Sequence, residues 1–194
     1  MSPRTREQNL EIRAKTKKNI ILSSMRLFGQ NGYEGTSVNA IAKEANISKG
    51  LVYYHFESKE HIVRGIVEFL TEIGDNIIYP KIEFETPKHH LKYIIDEYFN
   101  IAKEEAELMS WMLPMAFQVG RYPFVAQLVT KKTKMAISAV RKIFQELNYP
   151  YPEQEAWAFG ALFDGISMDQ ILVPNYDSKG MHQYLLNKYE LNNI

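Results

Sequence analysis

The apolar positions of this chain fall at helical spacing, with no strand alternation of useful length, no internal repeat and no low-complexity segment. Val38, Ile41, Ala42 and Ala45 stand at i, i+3, i+4 and i+7, which places one stripe on a short helix begun by Thr36 or Ser37 and ending near Asn46. Ser48 then reads as a fresh N-cap. Val52 and Phe56 give the next helix a narrow buried edge and leave Lys49, Gly50, Tyr53 and Tyr54 on another face. Ile62, Val63, Ile66, Val67, Phe69, Leu70, Ile73 and Ile77 form a long series that ends before Pro80. Thr86-Pro87 reads as an N-cap followed by proline at the first helical position, with Leu91, Ile94, Ile95, Tyr98, Phe99 and Ala102 beyond it. A short segment around Trp111 to Met115, interrupted by Pro114, follows. Pro123 opens a helix that the Tyr149-Pro150-Tyr151-Pro152 break closes. Another runs from about Glu153 to Val173, and a last one starts at Asp177 or Ser178. The pattern predicts an all-α fold of about nine helices.

Two short helices joined by about three to four residues are the signature of a helix-turn-helix. The second one carries a cation (Lys49), a residue without a side chain (Gly50) and two phenols (Tyr53, Tyr54), groups that suit close approach and hydrogen bonding to a duplex. On pattern alone, Tyr53, Tyr54, His55 and Phe56 read equally well as a packed aromatic cluster with polar tips. Charge separates the two readings. The chain has 23 basic and 23 acidic residues, yet residues 1–66 hold a net +5 and the remainder a net −5. A basic head on an acidic body is the footprint of a DNA-binding domain attached to something that does not bind DNA. Lys59 adds to this, because it follows the N-cap Ser58 and so opposes the helix dipole in the first turn. A phosphate outside the protein would account for a cation there, and so would plain solvent exposure.

Length and 45% hydrophobic content allow a proper core and two domains. No apolar run approaches the length of a membrane span, and the charged N-terminal segment lacks a signal-peptide core, so a cytoplasmic protein with no membrane partner is expected. The absence of cysteine excludes disulfides, thiolate catalysis and cysteine-ligated metals.

The residues Ile20 to Phe28, Asn31-Gly32-Tyr33-Glu34-Gly35-Thr36-Ser37-Val38, Ala45-Asn46-Ile47-Ser48-Lys49-Gly50, Val52-Tyr53-Tyr54-His55-Phe56 and Ser58-Lys59-Glu60 together resemble the N-terminal domain of the TetR family of bacterial transcriptional regulators. The resemblance runs over roughly residues 12–66 and departs from the usual pattern at Ser23 and Ser24, where alanines are more common. It implies an N-terminal three-helix DNA-binding domain over 1–66, with the helix-turn-helix at about 37–56, and a helical effector-binding and dimerisation domain over 67–194. It further implies a homodimeric repressor that leaves a palindromic operator when a small molecule binds. Thr36, Ser37, Ser48, Tyr53, Tyr54, His55 and Lys59 would contact phosphate, and Lys49 and Gly50 base edges. The stretch from Arg4 to Lys18 would either extend the phosphate contacts, reach a minor groove, or be disordered in the free protein.

In the helix near 153–173, Ala156, Gly160, Ala161 and Gly165 would let another helix approach, while Trp157, Phe159, Leu162, Phe163 and Ile166 make it apolar on most sides. With Asp164, Met168 and Tyr184 these supply the expected dimer surface, against the alternative of a central internal helix. Tyr98, Trp111, Met112, Met115, Phe117, Gln118, Tyr122 and Phe163 are the expected lining of an effector pocket for a hydrophobic or aromatic molecule, although aromatic and methionine side chains also build ordinary cores. No catalytic residues, metal ligands or cofactors are expected. The five histidines include no i, i+4 pair, and no phosphate-cradling glycine motif or nucleophile elbow is present. A ligand-independent, sequence-tolerant architectural DNA binder is the alternative function.

Overall fold

The computed structural model describes residues 5–119 and 122–194, with side chains for all of these except 113–119. Among them are nine helices: α1 (Arg6–Gly35), α2 (Val38–Glu44), α3 (Lys49–His55), α4 (Lys59–Ile78), α5 (Pro87–Glu104), α6 (Ala106–Val119), α7 (Pro123–Glu146), α8 (Pro152–Leu172) and α9 (Ser178–Lys188). The fold is all-α, as the periodicity requires. Two boundaries differ from the sequence reading. Pro114 does not interrupt α6, which continues to Val119 although an interior proline lacks the N–H donor and crowds the carbonyl four residues earlier. The stretch before residue 19 is helical. Thr5 accepts from the Gln8 N–H while the Gln8 side chain accepts from the Thr5 N–H, a capping box that starts α1 at Arg6.

The chain forms two compact units, one of residues up to Leu70 with Trp111–Ala126, the other of Thr71–Ser110 with Gln127–Ile194. The division therefore cuts α4, α6 and α7 along their length. The sequence boundary at residue 66 lies close to Leu70, but the return of residues 111–126 to the N-terminal unit is a tertiary event. Tyr122 stands edge-on to Tyr33, with ring centroids 4.8 Å apart, and its hydroxyl donates to Glu34 Oε1 at 2.5 Å. The Arg64 guanidinium covers the Phe124 ring at 4.8 Å.

In the N-terminal unit, Ile20, Met25 and Phe28 of α1, Ile41 of α2, Val52 of α3, and Ile62 and Ile66 of α4 are fully buried, with Phe56 between α3 and α4. Each such side chain contributes up to about 1.5–3 kcal/mol of transfer free energy. Ser24 is fully buried among them without an orphaned hydroxyl, because its Oγ donates to the Ile20 carbonyl at 2.7 Å. Gly32, at φ 72°, breaks the helical backbone near the end of α1, a conformation that favours glycine. Gly65 is needed for a different reason: a Cβ there would lie 2.6 Å from Phe56 Cε1. The glycine lets the Phe56 ring lie directly on α4.

The C-terminal unit buries Leu91, Ile95 and Phe99 of α5, Ile137, Val140 and Phe144 of α7, Ala156, Phe159 and Ile166 of α8, and Leu185 of α9 in one cluster. Phe144, Phe159 and Tyr189 pack mutually with centroids 5.5–5.7 Å apart. Burial, then the neighbouring Glu155, pushes the Tyr189 phenol far above its ordinary value. Thr86 caps α5 and Pro87 occupies its first turn, as the sequence predicts.

Candidate nucleic-acid interface

Local chemistry explains the helix pair. Ser37 Oγ accepts from the Ala40 N–H at 3.1 Å and starts α2, and Ser48 Oγ accepts from the Leu51 N–H at 3.1 Å and starts α3. The turn between them passes through Asn46 at φ 53°, a left-handed position that asparagine tolerates better than most residues. Asn19 of α1 holds this turn, its Nδ2 donating to the Ala45 carbonyl at 2.8 Å. Val52 is buried, so the opposite side of α3 faces outward. There Lys49 and Gly50 are exposed, and Tyr53 and Tyr54 are 46% and 63% exposed. Lys49 Nζ lies 5.8 Å from the Tyr53 ring centroid. The only contact a Cβ at Gly50 would meet is Ser48 Oγ at 3.9 Å, so no packing inside the protein demands glycine there. Ser37 and Ser48 use oxygen lone pairs for capping and keep their O–H donors.

Two of the expected phosphate-contacting residues are spent inside the protein. Thr36 is 1% exposed, and its hydroxyl hydrogen-bonds the carbonyls of Gly32 at 2.8 Å and Leu27 at 3.1 Å. Lys59 Nζ donates to the Tyr33 carbonyl at 2.6 Å and the Thr36 carbonyl at 3.1 Å, and sits 4.2 Å from the Tyr33 ring centroid. It opposes the dipole of its own helix but complements the end of α1, where carbonyls lack helical partners and the last turn has no base. Two of the three ammonium donors thus have acceptors inside the protein, and the residue stays partly exposed. The carbonyl contacts bind two helices together through a cation. Burial first, then Glu34, raises the Tyr33 phenol above its ordinary value.

His55, at the end of α3, is half-buried and edge-on to Tyr54 at 5.2 Å. Burial, followed by Arg13 and Lys17, draws its imidazole below the ordinary histidine value. Arg13 of α1 lies 5.2 Å from the Tyr54 ring, and Lys17 5.8 Å from that of Phe56. The first turns of α1 thus flank α3. The Thr5 to Gln8 capping box is the sequence signal for that helical start.

The expected pocket residues divide between the units. Tyr98 and Phe163 meet in the C-terminal unit at 4.4 Å, and the Tyr98 hydroxyl reaches Ser167 Oγ at 2.6 Å and the Phe163 carbonyl at 3.2 Å. Burial raises the Tyr98 phenol, partly offset by Ser167. Trp111, Met112 and Tyr122 belong to the N-terminal unit, where Arg26 stands 5.8 Å from the Trp111 ring. Met115, Phe117 and Gln118 lie on α6, and their side chains are outside the described ones. On the expected dimer surface, Trp157, Ala161, Asp164, Gly165 and Met168 form one exposed stripe of α8, beside exposed Tyr184 of α9. Gly160 is turned inward instead: a Cβ there would lie 3.4 Å from Ile137 Cδ1, because α7 crosses at that point. A groove of about 470 Å³ runs past Ala158, Ala161, Leu162 and Tyr184. Although Asp164 is exposed as a residue, partial desolvation raises its carboxyl above the usual carboxylate range.

Among the described residues, no group of three or more His, Asp or Glu side chains is placed to hold a metal ion. No described helix is long and apolar enough to cross a membrane.

Residues 20–66 match the family model described as bacterial regulatory proteins, tetR family. A negative transcriptional regulator of the biofilm operon icaADBC, IcaR of Staphylococcus epidermidis, is 38% identical over 80 residues, a match covering 41% of this chain and 40% of that protein. The chain thus matches well under half the length of this curated relative. Solved structures agree over most of the chain. A transcriptional regulator from Rhodococcus superposes with a TM-score of 0.75 at 19% identity, covering 90% of this chain and 94% of that one. A TetR transcription regulator from Haloarcula marismortui superposes with 0.73 at 16% identity, covering 91% and 96%.

Proposed function

We propose, since this chain belongs to the TetR family of bacterial transcriptional regulators, a family of regulators and not of enzymes, that it is a homodimeric repressor which binds a palindromic operator and leaves it when a small hydrophobic or aromatic molecule binds the C-terminal unit. The observation that carries the reading is the outer face of α3. Lys49, Gly50, Tyr53 and Tyr54 stand exposed on a helix whose other side is buried, and the glycine has no internal reason to be there. Glycine costs up to about 1 kcal/mol relative to alanine in a helix, less in a first turn such as that of Gly50, and close approach to a base pair would offset that cost. In this reading Lys49 donates to guanine O6 and N7, while Ser37, Ser48, Tyr53, Tyr54 and His55 donate to phosphate. The negative regulation of the icaADBC operon by the relative favours repression as the output.

The exposed stripe Trp157, Ala161, Gly165 and Met168 with Tyr184 is the surface for a symmetry mate, since a two-fold pair of recognition helices must span half-sites about 34 Å apart. Tyr98 and Phe163 mark the effector region. The continuous helix α4 couples the two: a shift at its C-terminal end alters the half-site spacing. The test is fluorescence anisotropy at about 150 mM salt, with DNA flanking the protein's own gene against a scrambled fragment. A preference of about a thousandfold or more is expected for the regulator. Equal weak binding to flanking, scrambled and library-selected DNA would favour the sequence-tolerant architectural reading.

A further inference from the structure

The unit that carries α2 and α3 is completed by residues from the other half of the sequence. Tyr122 stands at the entry to α7, where its carbonyl accepts from the Val125 N–H at 3.0 Å and the Ala126 N–H at 3.1 Å. Pro123 follows at the first helical position, so the backbone of Tyr122 is fixed to the helix. Later turns of α7 bury Ile137, Val140 and Phe144 in the core of the C-terminal unit. The Tyr122 side chain therefore rides on an anchored helix and not on a free loop.

What it holds is the junction between α1 and α2. Its hydroxyl donates to Glu34 Oε1 at 2.5 Å, and its ring stands edge-on to Tyr33 at 4.8 Å. Tyr33 and Glu34 follow the break at Gly32 and lie just ahead of Ser37, the cap of α2. The Tyr33 carbonyl accepts from Lys59 Nζ, and its ring packs on Phe28 of the core at 5.4 Å. Two residues beyond Tyr122, Phe124 lies under the Arg64 guanidinium at 4.8 Å, and Arg64 pairs with Glu60 in the first turn of α4 at 2.8 Å. Tyr122 and Phe124 thus grip the end of α1 and the start of α4, the two points between which α2 and α3 are suspended. Those helices have seven residues each, well short of the roughly 12–15 that an isolated helix needs, so their placement comes from what holds their flanks.

We propose that Tyr122, acting through Glu34 and Tyr33, is a positioning residue for operator recognition, holding α3 in the orientation that reads bases without touching DNA itself. The inference rests on the DNA-binding reading and adds to it a residue from outside the helix-turn-helix. Its signature is selectivity. Attraction to phosphate is long-ranged and tolerates a small tilt of the helix, whereas contacts to base edges depend on hydrogen-bond geometry. Loss of the hold therefore lowers operator binding and spares binding to unrelated sequence.

The test uses the full chain, with anisotropy titrations of operator and scrambled fragments over a range of salt concentration and thermal melts of the free protein. Tyr122→Phe keeps the ring on Tyr33 and deletes only the hydroxyl. Glu34→Ala deletes the acceptor, and Glu34→Gln keeps an accepting oxygen while removing the charge. The ratio of operator to scrambled affinity is the readout, because a change of net charge shifts both alike. Y122F and E34A are each expected to lower that ratio about three- to tenfold, the worth of one hydrogen bond. The double variant loses no more than either alone, and E34Q keeps the wild-type ratio. The slope of log K against log salt for the operator is unchanged in Y122F, since no phosphate contact is lost. A wild-type ratio in Y122F, whether or not its midpoint falls, overturns this inference and leaves Tyr122 a stability contact and the regulator reading standing. A slope reduced by about 0.9 overturns it too, by making Tyr122 a phosphate contact. A wild type with no preference even for library-selected DNA removes both readings.

Discussion

Replacing Lys59 by methionine keeps the aliphatic stem and deletes the ammonium that joins the start of α4 to the end of α1. The wild-type group makes a 2.6 Å and a 3.1 Å hydrogen bond to backbone carbonyls and covers the Tyr33 ring at 4.2 Å. Hydrogen bonds to charged groups contribute roughly 1.5–3 kcal/mol each, a partly exposed cation–π contact about 0.5–1, and a cation at a helix C-terminus about 0.3–1. These terms overlap. They describe one ammonium, Lys59 remains partly exposed, and the Tyr33 carbonyl keeps a long 3.4 Å bond from the Thr36 N–H. A net loss of about 2 kcal/mol is therefore expected, which lowers the midpoint by roughly 4–8 °C for a chain of this size. Circular dichroism melts measure it, and operator titrations against salt supply the contrast. A lysine held by the protein changes stability and leaves the phosphate count alone, whereas one held by DNA does the opposite. An unchanged midpoint together with a salt slope reduced by about 0.9 would refute the assignment made from these distances.

Three further outcomes follow from the same geometry. Gly65→Ala forces a methyl group to within 2.6 Å of Phe56 and is expected to destabilise the N-terminal unit by about 1–3 kcal/mol, read by chemical denaturation; a neutral effect would mean the ring moves aside freely. Gly50→Ala should stabilise the free protein by up to about 1 kcal/mol while weakening operator binding, so a variant that gains stability without losing affinity argues against close approach of DNA at this position. Met168→Glu places a charge in the exposed α8 stripe and should shift sedimentation from dimer to monomer with little change in helicity, whereas an unaltered dimer moves the interface elsewhere.

His55 also links pH to stability with a definite sign. Its folded-state proton affinity lies below the ordinary histidine value, so the unfolded chain binds the proton better. The free protein is expected to lose stability as pH falls through that ordinary value towards the lowered one. Melts across that interval measure the effect, and a His55→Asn variant with the same pH dependence as the wild type would show that another group is responsible.

Most of the helical architecture was legible because its signals are local. Ser37, Ser48, Thr86 and Asp177 cap helices where the chain presents a short hydroxyl or carboxylate before an apolar repeat. Pro87 and Pro123 open helices because a first-turn proline lacks only an N–H that would have had no helical partner. The outward face of α3 follows from two buried positions four residues apart, Val52 and Phe56. The helix-turn-helix, its basic surroundings and the family were accordingly within reach of the sequence.

Contacts between residues far apart in the chain required the tertiary structure. Lys59 reads as a cation at the wrong end of its own helix, and only the placement of Tyr33 and Thr36, 26 and 23 positions away, reveals that it serves another helix end. Thr36 carries a hydroxyl that periodicity cannot orient, and the kink at Gly32 turns it inward. The hydroxyl of Tyr122 meets Glu34, 88 positions earlier, a pairing no local pattern displays. Gly160 and Gly165 look alike in the sequence, yet α7 crosses at one and leaves the other open. Helix formation depends on neighbours within about four residues, which the sequence displays directly. Which polar or small residue meets a distant partner depends on how the helices pack, and packing is what separates the exposed face of α3 from the interior clamps.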